Sequence, residues 1–154
     1  MIELKPKMLY LMHIDWNWIK QRPQYLEEEL EKTFDVVIFC PRNYRLKEYN
    51  DKENIRVFYT IPFIRRFYRL AKIDDWREKK AIRKLIRKVQ PDYIYATSPS
   101  FSDCIPQWYT GRVIYDCMDN MLAFHNKKAL IEKAAIQEKA MIHRADYVLS
   151  LIHI

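Results

Sequence analysis

The chain has 154 residues, enough for one ordinary domain, and its 49% hydrophobic and 14% aromatic content supplies an ample core. Its formal charge of +7, from 27 Lys and Arg against 20 Asp and Glu, favours an anionic partner such as nucleic acid, an acidic membrane surface or a phosphorylated ligand. Cys40, Cys104 and Cys117 form no close pair of metal-ligand spacing, so a reducing cytoplasm is expected, and no apolar run reaches the ~18 residues of a membrane span.

Strand-like and helix-like stretches alternate along the chain. The expected strands are Lys7 to Ile14, Asp35 to Cys40, Asn54 to Tyr59, Asp92 to Ala96, Arg112 to Asp116 and Asp146 to Leu151. Most are short, apolar on both faces and rich in Val, Ile and Tyr, as a parallel sheet covered on both sides requires. Pro23 opens the first helix, because a missing N–H costs nothing in a first turn, with Ile19, Leu26 and Leu30 expected inward and Glu27, Glu28, Glu29 and Glu31 toward solvent. A second helix, about Asp75 to Val89, aligns Ile82, Leu85, Ile86 and Val89 before Pro91 stops it. A short helix follows Ser100, and a last one, about Lys127 to Arg144, turns Leu130, Ile131, Ala134, Ala135, Met141 and Ile142 inward. This alternation predicts right-handed βαβ units and an α/β, doubly wound, mainly parallel sheet of about six strands with helices on both faces.

In such a sheet ligands bind beyond the carboxyl ends of the strands, and three loops fall there. The first, Asp15 to Tyr25, carries Asp15, Trp16, Trp18, Arg22 and Gln24 as candidate contacts. Around Val113 to Asn120, Asp116 and Asp119 stand at another strand end. There they could hydrogen-bond sugar hydroxyls, act as a base or hold a metal, or else cap the following segment as ordinary turn residues. The third loop, Thr97-Ser98-Pro99-Ser100, offers Ser98 as a contact, although a plain turn is the commoner reading of such a stretch.

Several chemistries are disfavoured. Gly111 is the single glycine, so neither a GxGxxG turn nor a Walker loop can be built. No H-E-x-x-H, C-x-x-C or G-x-S-x-G occurs, and His13, His125, His143 and His153 are scattered, which reads as isolated histidines rather than a metal site. From Arg56 to Lys88 bases and aromatics interleave, with Phe63, Arg65, Arg66, Phe67 and Arg69 at the centre. The bland reading is a core-facing aromatic set beside a solvated basic face. An anionic membrane contact comes second, and RNA last, because no nucleic-acid module frames the aromatics.

Asp15-Trp16-Asn17-Trp18, Gln21-Arg22-Pro23-Gln24, Tyr115-Asp116-Cys117-Met118-Asp119-Asn120 and Ala145-Asp146-Tyr147-Val148 together resemble the amino-terminal domain of bacterial GT-B glycosyltransferases. More narrowly, the chain is similar to the group 1 enzymes of the teichuronic acid biosynthesis type, over nearly its whole length. The resemblance implies a Rossmann-like half of a two-domain enzyme, the half that receives the acceptor. It implies retaining transfer from a nucleotide sugar to a cell-surface polysaccharide or lipid-linked acceptor, with no metal or other cofactor required, by an enzyme in the cytoplasm or peripheral at the inner membrane face. It places Asp15, Trp16, Trp18, Arg22 and Gln24 at the cleft and Asp119 in the loop facing the transferred sugar. Where many relatives carry glycines after the first strand, this chain has Trp and Asn, leaving Arg22 to supply charge.

Residues 1–148 are therefore expected to be the acceptor-side domain. The donor-binding domain of such an enzyme would need about as many residues again. Leu149 to Ile154 look like a translated sequencing adapter, so the natural sequence is expected to continue differently after Val148, and the fragment alone is expected to be inactive. The alternative is a non-catalytic binding module for a membrane surface or RNA.

Overall fold

A computed structural model describes residues 4–42, 53–59, 68–118 and 128–150, with 68–71 as backbone alone. Among these residues six strands form one open sheet: β1 (Lys7–Leu11), β2 (Asp35–Arg42), β3 (Ile55–Tyr59), β4 (Tyr93–Ala96), β5 (Arg112–Cys117) and β6 (Tyr147–Ser150). Among the described residues three helices connect them, α1 (Arg22–Leu30), α2 (Tyr68–Val89) and α3 (Lys128–Arg144), with a 3₁₀ turn at Pro99–Asp103. The strand order is β3-β2-β1-β4-β5-β6 and every neighbouring pair is parallel. The chain winds outward from β1 to β3, then returns to β4 and winds outward the other way, which makes this a Rossmann-like doubly wound sheet. Its topological switch point lies between β1 and β4.

Because successive side chains of a strand point to opposite faces, one sequence serves two cores. On one face Met8, Tyr10, Met12, Val36, Ile38, Cys40 and Tyr95 are buried under α1, whose Leu26 and Leu30 pack on them. On the other, Leu9, Leu11, Ile94, Ala96, Val113 and Tyr115 lie against Ile82, Leu85 and Ile86 of α2 and Met141 of α3. Burying an aliphatic side chain of this size contributes roughly 1.5–3 kcal/mol, so the two cores supply most of the driving force.

Element boundaries move for local reasons. β1 stops at Leu11 rather than Ile14, for although the Met12 N–H still reaches the Phe39 carbonyl at 2.9 Å, the His13 N–H turns to the Thr97 hydroxyl at 3.1 Å. α1 starts at Arg22 with Gln21 as its N-cap, where the Gln21 N–H donates to the Gln24 side-chain oxygen at 3.0 Å. Ile19 thus precedes the helix and is exposed, not inward-facing as expected. Glu27, expected in solvent, is fully buried, because Pro23 and Glu27 lie one helical turn apart on the sheet-facing side and Asn54 Nδ2 approaches Glu27 Oε1 at 3.4 Å. α2 begins seven residues before the expected Asp75. In α3 the inward line is Ala134 and Met141, two turns apart, while Ala135 and Ile142, each about 100° further round the helix, are exposed. Asp146 is outside β6 and instead accepts from the Val113 N–H at 2.8 Å and from Arg112 at 2.8 Å.

Gly111 is required by space. A Cβ there would collide with the Tyr109 hydroxyl and lie 2.7 Å from the immovable Asp92 carbonyl. Tyr109 Oη donates to the Pro91 carbonyl at 3.1 Å, tying the turn before β5 to the turn before β4.

Candidate functional site

At the carboxyl edge of the sheet an ion pair joins the start of α1, which follows β1, to β5 across β4. Arg22, the first residue of α1, reaches across β4 to Asp116 near the end of β5, a separation of 94 residues in sequence. Its Nη2 lies 3.0 Å from Oδ1 and 3.1 Å from Oδ2, and its Nε lies 3.3 Å from Oδ2. Tyr95 of β4 adds a third donor, its hydroxyl 2.9 Å from Oδ2. Asp116 is fully buried while 39% of the Arg22 side chain is exposed, so a sequestered carboxylate holds a guanidinium whose rim reaches solvent. Arg22 Nη1 has no partner among the described residues. A side-on guanidinium fixed in this way keeps donors pointing outward at little further entropic cost, which suits a phosphate or carboxylate.

The support beneath Arg22 is aromatic. Tyr95 stacks on Tyr10 of β1 at 5.1 Å, and the Tyr10 hydroxyl donates to the Pro23 carbonyl at 3.1 Å, fixing the start of α1 to the sheet. Burial raises both phenols above the ordinary tyrosine range, with the Asp116 carboxylate the second cause for Tyr95 and Tyr95 itself the second for Tyr10. Both therefore remain protonated donors at physiological pH.

The first loop is shaped by turn chemistry. Asp15 is buried and its Oδ1 accepts from the Asn17 N–H at 2.9 Å, while the Trp18 N–H returns to the Asp15 carbonyl at 3.1 Å. Gln24 is buried too, and its Nε2 donates to the Trp16 carbonyl at 3.3 Å. Trp16 packs half-buried on the α1-side core, and Trp18 is exposed at the rim. Of the first-loop candidates, then, Trp18 and Arg22 present surface, whereas Asp15 and Gln24 set the shape of the loop. Ser98 is buried and caps the 3₁₀ turn, accepting from the Ser100 N–H at 3.3 Å.

Asp119 lies outside the described residues, as do Phe63, Arg65, Arg66 and Phe67; Arg69 falls in α2, where only its backbone is described. Among the described residues no cluster of three or more His, Cys, Asp or Glu is arranged to hold a metal ion, and no helix is long and apolar enough to cross a membrane.

Two participants were not singled out from the sequence. Tyr95 alternates with Ile94 and Ala96 as a core tyrosine would, and nothing local shows that its hydroxyl meets a carboxylate on the next strand. His13 is the other, its imidazole 2.6 Å from the hydroxyl of Thr97, the residue that follows β4. The signal was positional: Thr97 directly follows β4 and His13 stands two residues after β1, and these strands prove to be neighbours at the switch point.

A depression of about 750 Å³ lies at the opposite, amino-terminal edge of the sheet, lined by Arg87, Pro91, Tyr93, Trp108, Gly111 and Arg112 among others. Parallel α/β sheets place their chemistry at the other edge, and Arg112 is already paired with Asp146 here, so the carboxyl edge is the better site. No family model matches the sequence, and no curated protein matches it either.

Proposed function

We propose that this Rossmann-like domain is the acceptor-side wall of a GT-B glycosyltransferase that moves a sugar from a nucleotide donor to a cell-envelope glycan or lipid-linked acceptor. Transfer in this reading requires a donor-binding domain opposite the carboxyl edge, because the reacting groups must be held together and away from water. The observation that carries the proposal is the Arg22–Asp116–Tyr95 arrangement: a cation fixed by a buried carboxylate, with donors left over, beside the switch point of the sheet. In its proposed role Arg22 binds a phosphate or carboxylate of the substrate, Asp116 orients Arg22, and Trp18 offers an apolar plane for a sugar ring. Asp119, two residues beyond β5, is the proposed catalytic contact with the transferred sugar.

The test is transfer of radiolabel from nucleotide sugars to native membranes by the open reading frame taken from its source locus. Arg22→Ala and Asp119→Ala are each expected to abolish transfer while the protein stays folded. Full activity in both variants would remove the site.

A second reading, compatible with the first, attaches the domain to an anionic bilayer. It is favoured by α2, where Ile73 and Trp76 are exposed beside Lys72, Lys80 and Lys84, and where Lys80 Nζ sits 5.0 Å over the Trp76 ring. Aromatics in the headgroup layer flanked by lysines, each contributing about 1 kcal/mol against anionic lipid, give reversible attachment. Flotation with phosphatidylserine vesicles tests it: Trp76→Glu with Lys80→Glu should leave the protein at the bottom of the gradient, and unchanged flotation sinks this reading.

A further inference from the structure

The depression at the amino-terminal edge of the sheet plays no part in the proposed transfer. Its volume of about 750 Å³ lies within the range of small-molecule sites. A second depression, of about 670 Å³, shares Gln90, Asp92 and Tyr93 with it as a common wall. Four side chains lining the larger depression carry groups with no hydrogen-bond partner among the described residues: the Arg87 guanidinium, the Gln90 amide, the Trp108 indole N–H and the Thr110 hydroxyl. Arg87 sits over the Trp108 ring, 5.2 Å from its centroid, so the guanidinium is positioned by an aromatic plane and its N–H donors are not spent on a carboxylate. Charge selects what such donors bind. Between Glu78 and Asp92 the chain has six Lys and Arg and no acid, and Arg87 stands in the last turn of α2. On the same wall Arg112 is matched by Asp146, and Asp92 accepts from the Lys7 N–H at 2.8 Å. Arg87 is the uncompensated group, and its flat fork fits a carboxylate or a phosphate. Gln90 is a separate sign. Among the described residues it is the single non-glycine with positive φ, at 50°, a conformation that costs an L-residue energy and that collects at ligand sites.

We infer that this depression is a second ligand site and that it holds an anionic saccharide. Arg87 takes the carboxylate or phosphate, Gln90 and Thr110 take hydroxyls, and the half-exposed indole of Trp108 borders the sugar ring. The site rests on the geometry of these four residues, and the choice of a saccharide over another anion rests on the glycosyl-transfer reading. The six residues of β5 separate the two edges by roughly 20 Å, so a ligand here does not touch Arg22. The depression is thus a place to hold a glycan and not a second reaction centre.

The test uses the 154-residue chain labelled with ¹⁵N-tryptophan, its indole resonances assigned by Trp18→Phe and Trp108→Phe. The probes are tetragalacturonate and glucose 6-phosphate, with neutral maltotetraose and the non-saccharide anion citrate as controls. The expected result is a saturable shift of the Trp108 indole N–H with an anionic saccharide, Trp18 unmoved, and binding of both controls weaker by at least about tenfold. A response to only one of the two probes tells carboxylate from phosphate and supports the inference equally. Arg87→Gln should weaken binding about tenfold at an unchanged melting temperature, as the loss of one charged hydrogen bond predicts. Gln90→Gly should weaken binding and raise the melting temperature together, because glycine adopts the positive φ without strain while losing the amide. No saturable response of Trp108 to either probe, a response to citrate as strong as to the saccharides, or undiminished binding in both variants overturns the inference. A response at Trp18 alone, on the carboxyl rim, also overturns it while leaving the glycosyl-transfer reading intact.

Discussion

Removing Arg22 should cost more than neutralising Asp116, although Arg22 is the more exposed partner. Asp116 is fully buried and its carboxylate is held by Arg22 and Tyr95. In Arg22→Met the carboxylate keeps only the Tyr95 hydroxyl, and an ion left in low dielectric without its counter-charge costs about 3–5 kcal/mol. In Asp116→Asn the orphaned charge is Arg22, whose side chain is 39% exposed and is rehydrated where it stands. The loss is then that of the charged hydrogen bonds, about 1.5–3 kcal/mol. The double variant leaves no buried charge, so it should be more stable than Arg22→Met alone, with a coupling energy of the 0.5–3 kcal/mol expected for residues in contact. Urea unfolding followed by tryptophan fluorescence and circular dichroism measures all four proteins, given coincident transitions. The reasoning fails if Asp116→Asn is the more damaging single change, or if the two effects simply add.

Other expectations follow from single features. Gly111→Ala should lower stability by about 1–3 kcal/mol by forcing Tyr109 off the Pro91 carbonyl, and a melting temperature equal to wild type would show that the turn before β5 can move aside. Asp146 has its carboxyl held below the ordinary range, first by the Val113 N–H and then by Arg112. A depressed folded-state pKa contributes stability that is full above the unfolded value of about 3.9 and fades as pH falls through the folded value. Acid unfolding of Asp146→Asn should therefore show a flatter slope below about pH 4 than wild type; an identical acid limb would refute the role given to Asp146. Tyr95→Phe removes one donor from a buried carboxylate while keeping a ring to stack on Tyr10, and should cost roughly 1–3 kcal/mol in urea unfolding; a variant as stable as wild type would refute the role given to the hydroxyl.

The strands were legible because a parallel sheet covered on both faces demands continuous apolar runs, and runs such as Met8 to Met12 have few other uses. Strand order was less so: nothing in the Tyr10 or Tyr95 segments alone states that the two rings stack. The Arg22–Asp116 pair illustrates the limit for the site. Each residue was a candidate at a strand end, but their meeting depends on β4 being only one strand wide between them, which is a property of the sheet. Glu27 failed for a different reason. Charge predicts exposure on average, yet the helix turn that buries Pro23 buries Glu27 as well, and Asn54 from the distant loop before β3 supplies its polar contact. Histidines scattered in sequence gave no metal motif, and the contact of His13 with Thr97 was hidden for the same reason as the Arg22–Asp116 pair, because it depends on β1 and β4 being neighbours. Asp15 and Gln24 were sound as loop residues, but their side chains are spent on the loop's own backbone.

The most direct measurement of the central claim is sugar transfer by Arg22→Lys in the open reading frame from the source locus. Lysine keeps the positive charge and loses the side-on fit to Asp116, so it separates charge from orientation. The account predicts that Arg22→Lys stays folded and loses transfer from nucleotide sugar to native membranes by at least about tenfold, the loss of one oriented contact in the transition state. Transfer at the wild-type rate by folded Arg22→Lys and Arg22→Ala proteins would contradict it.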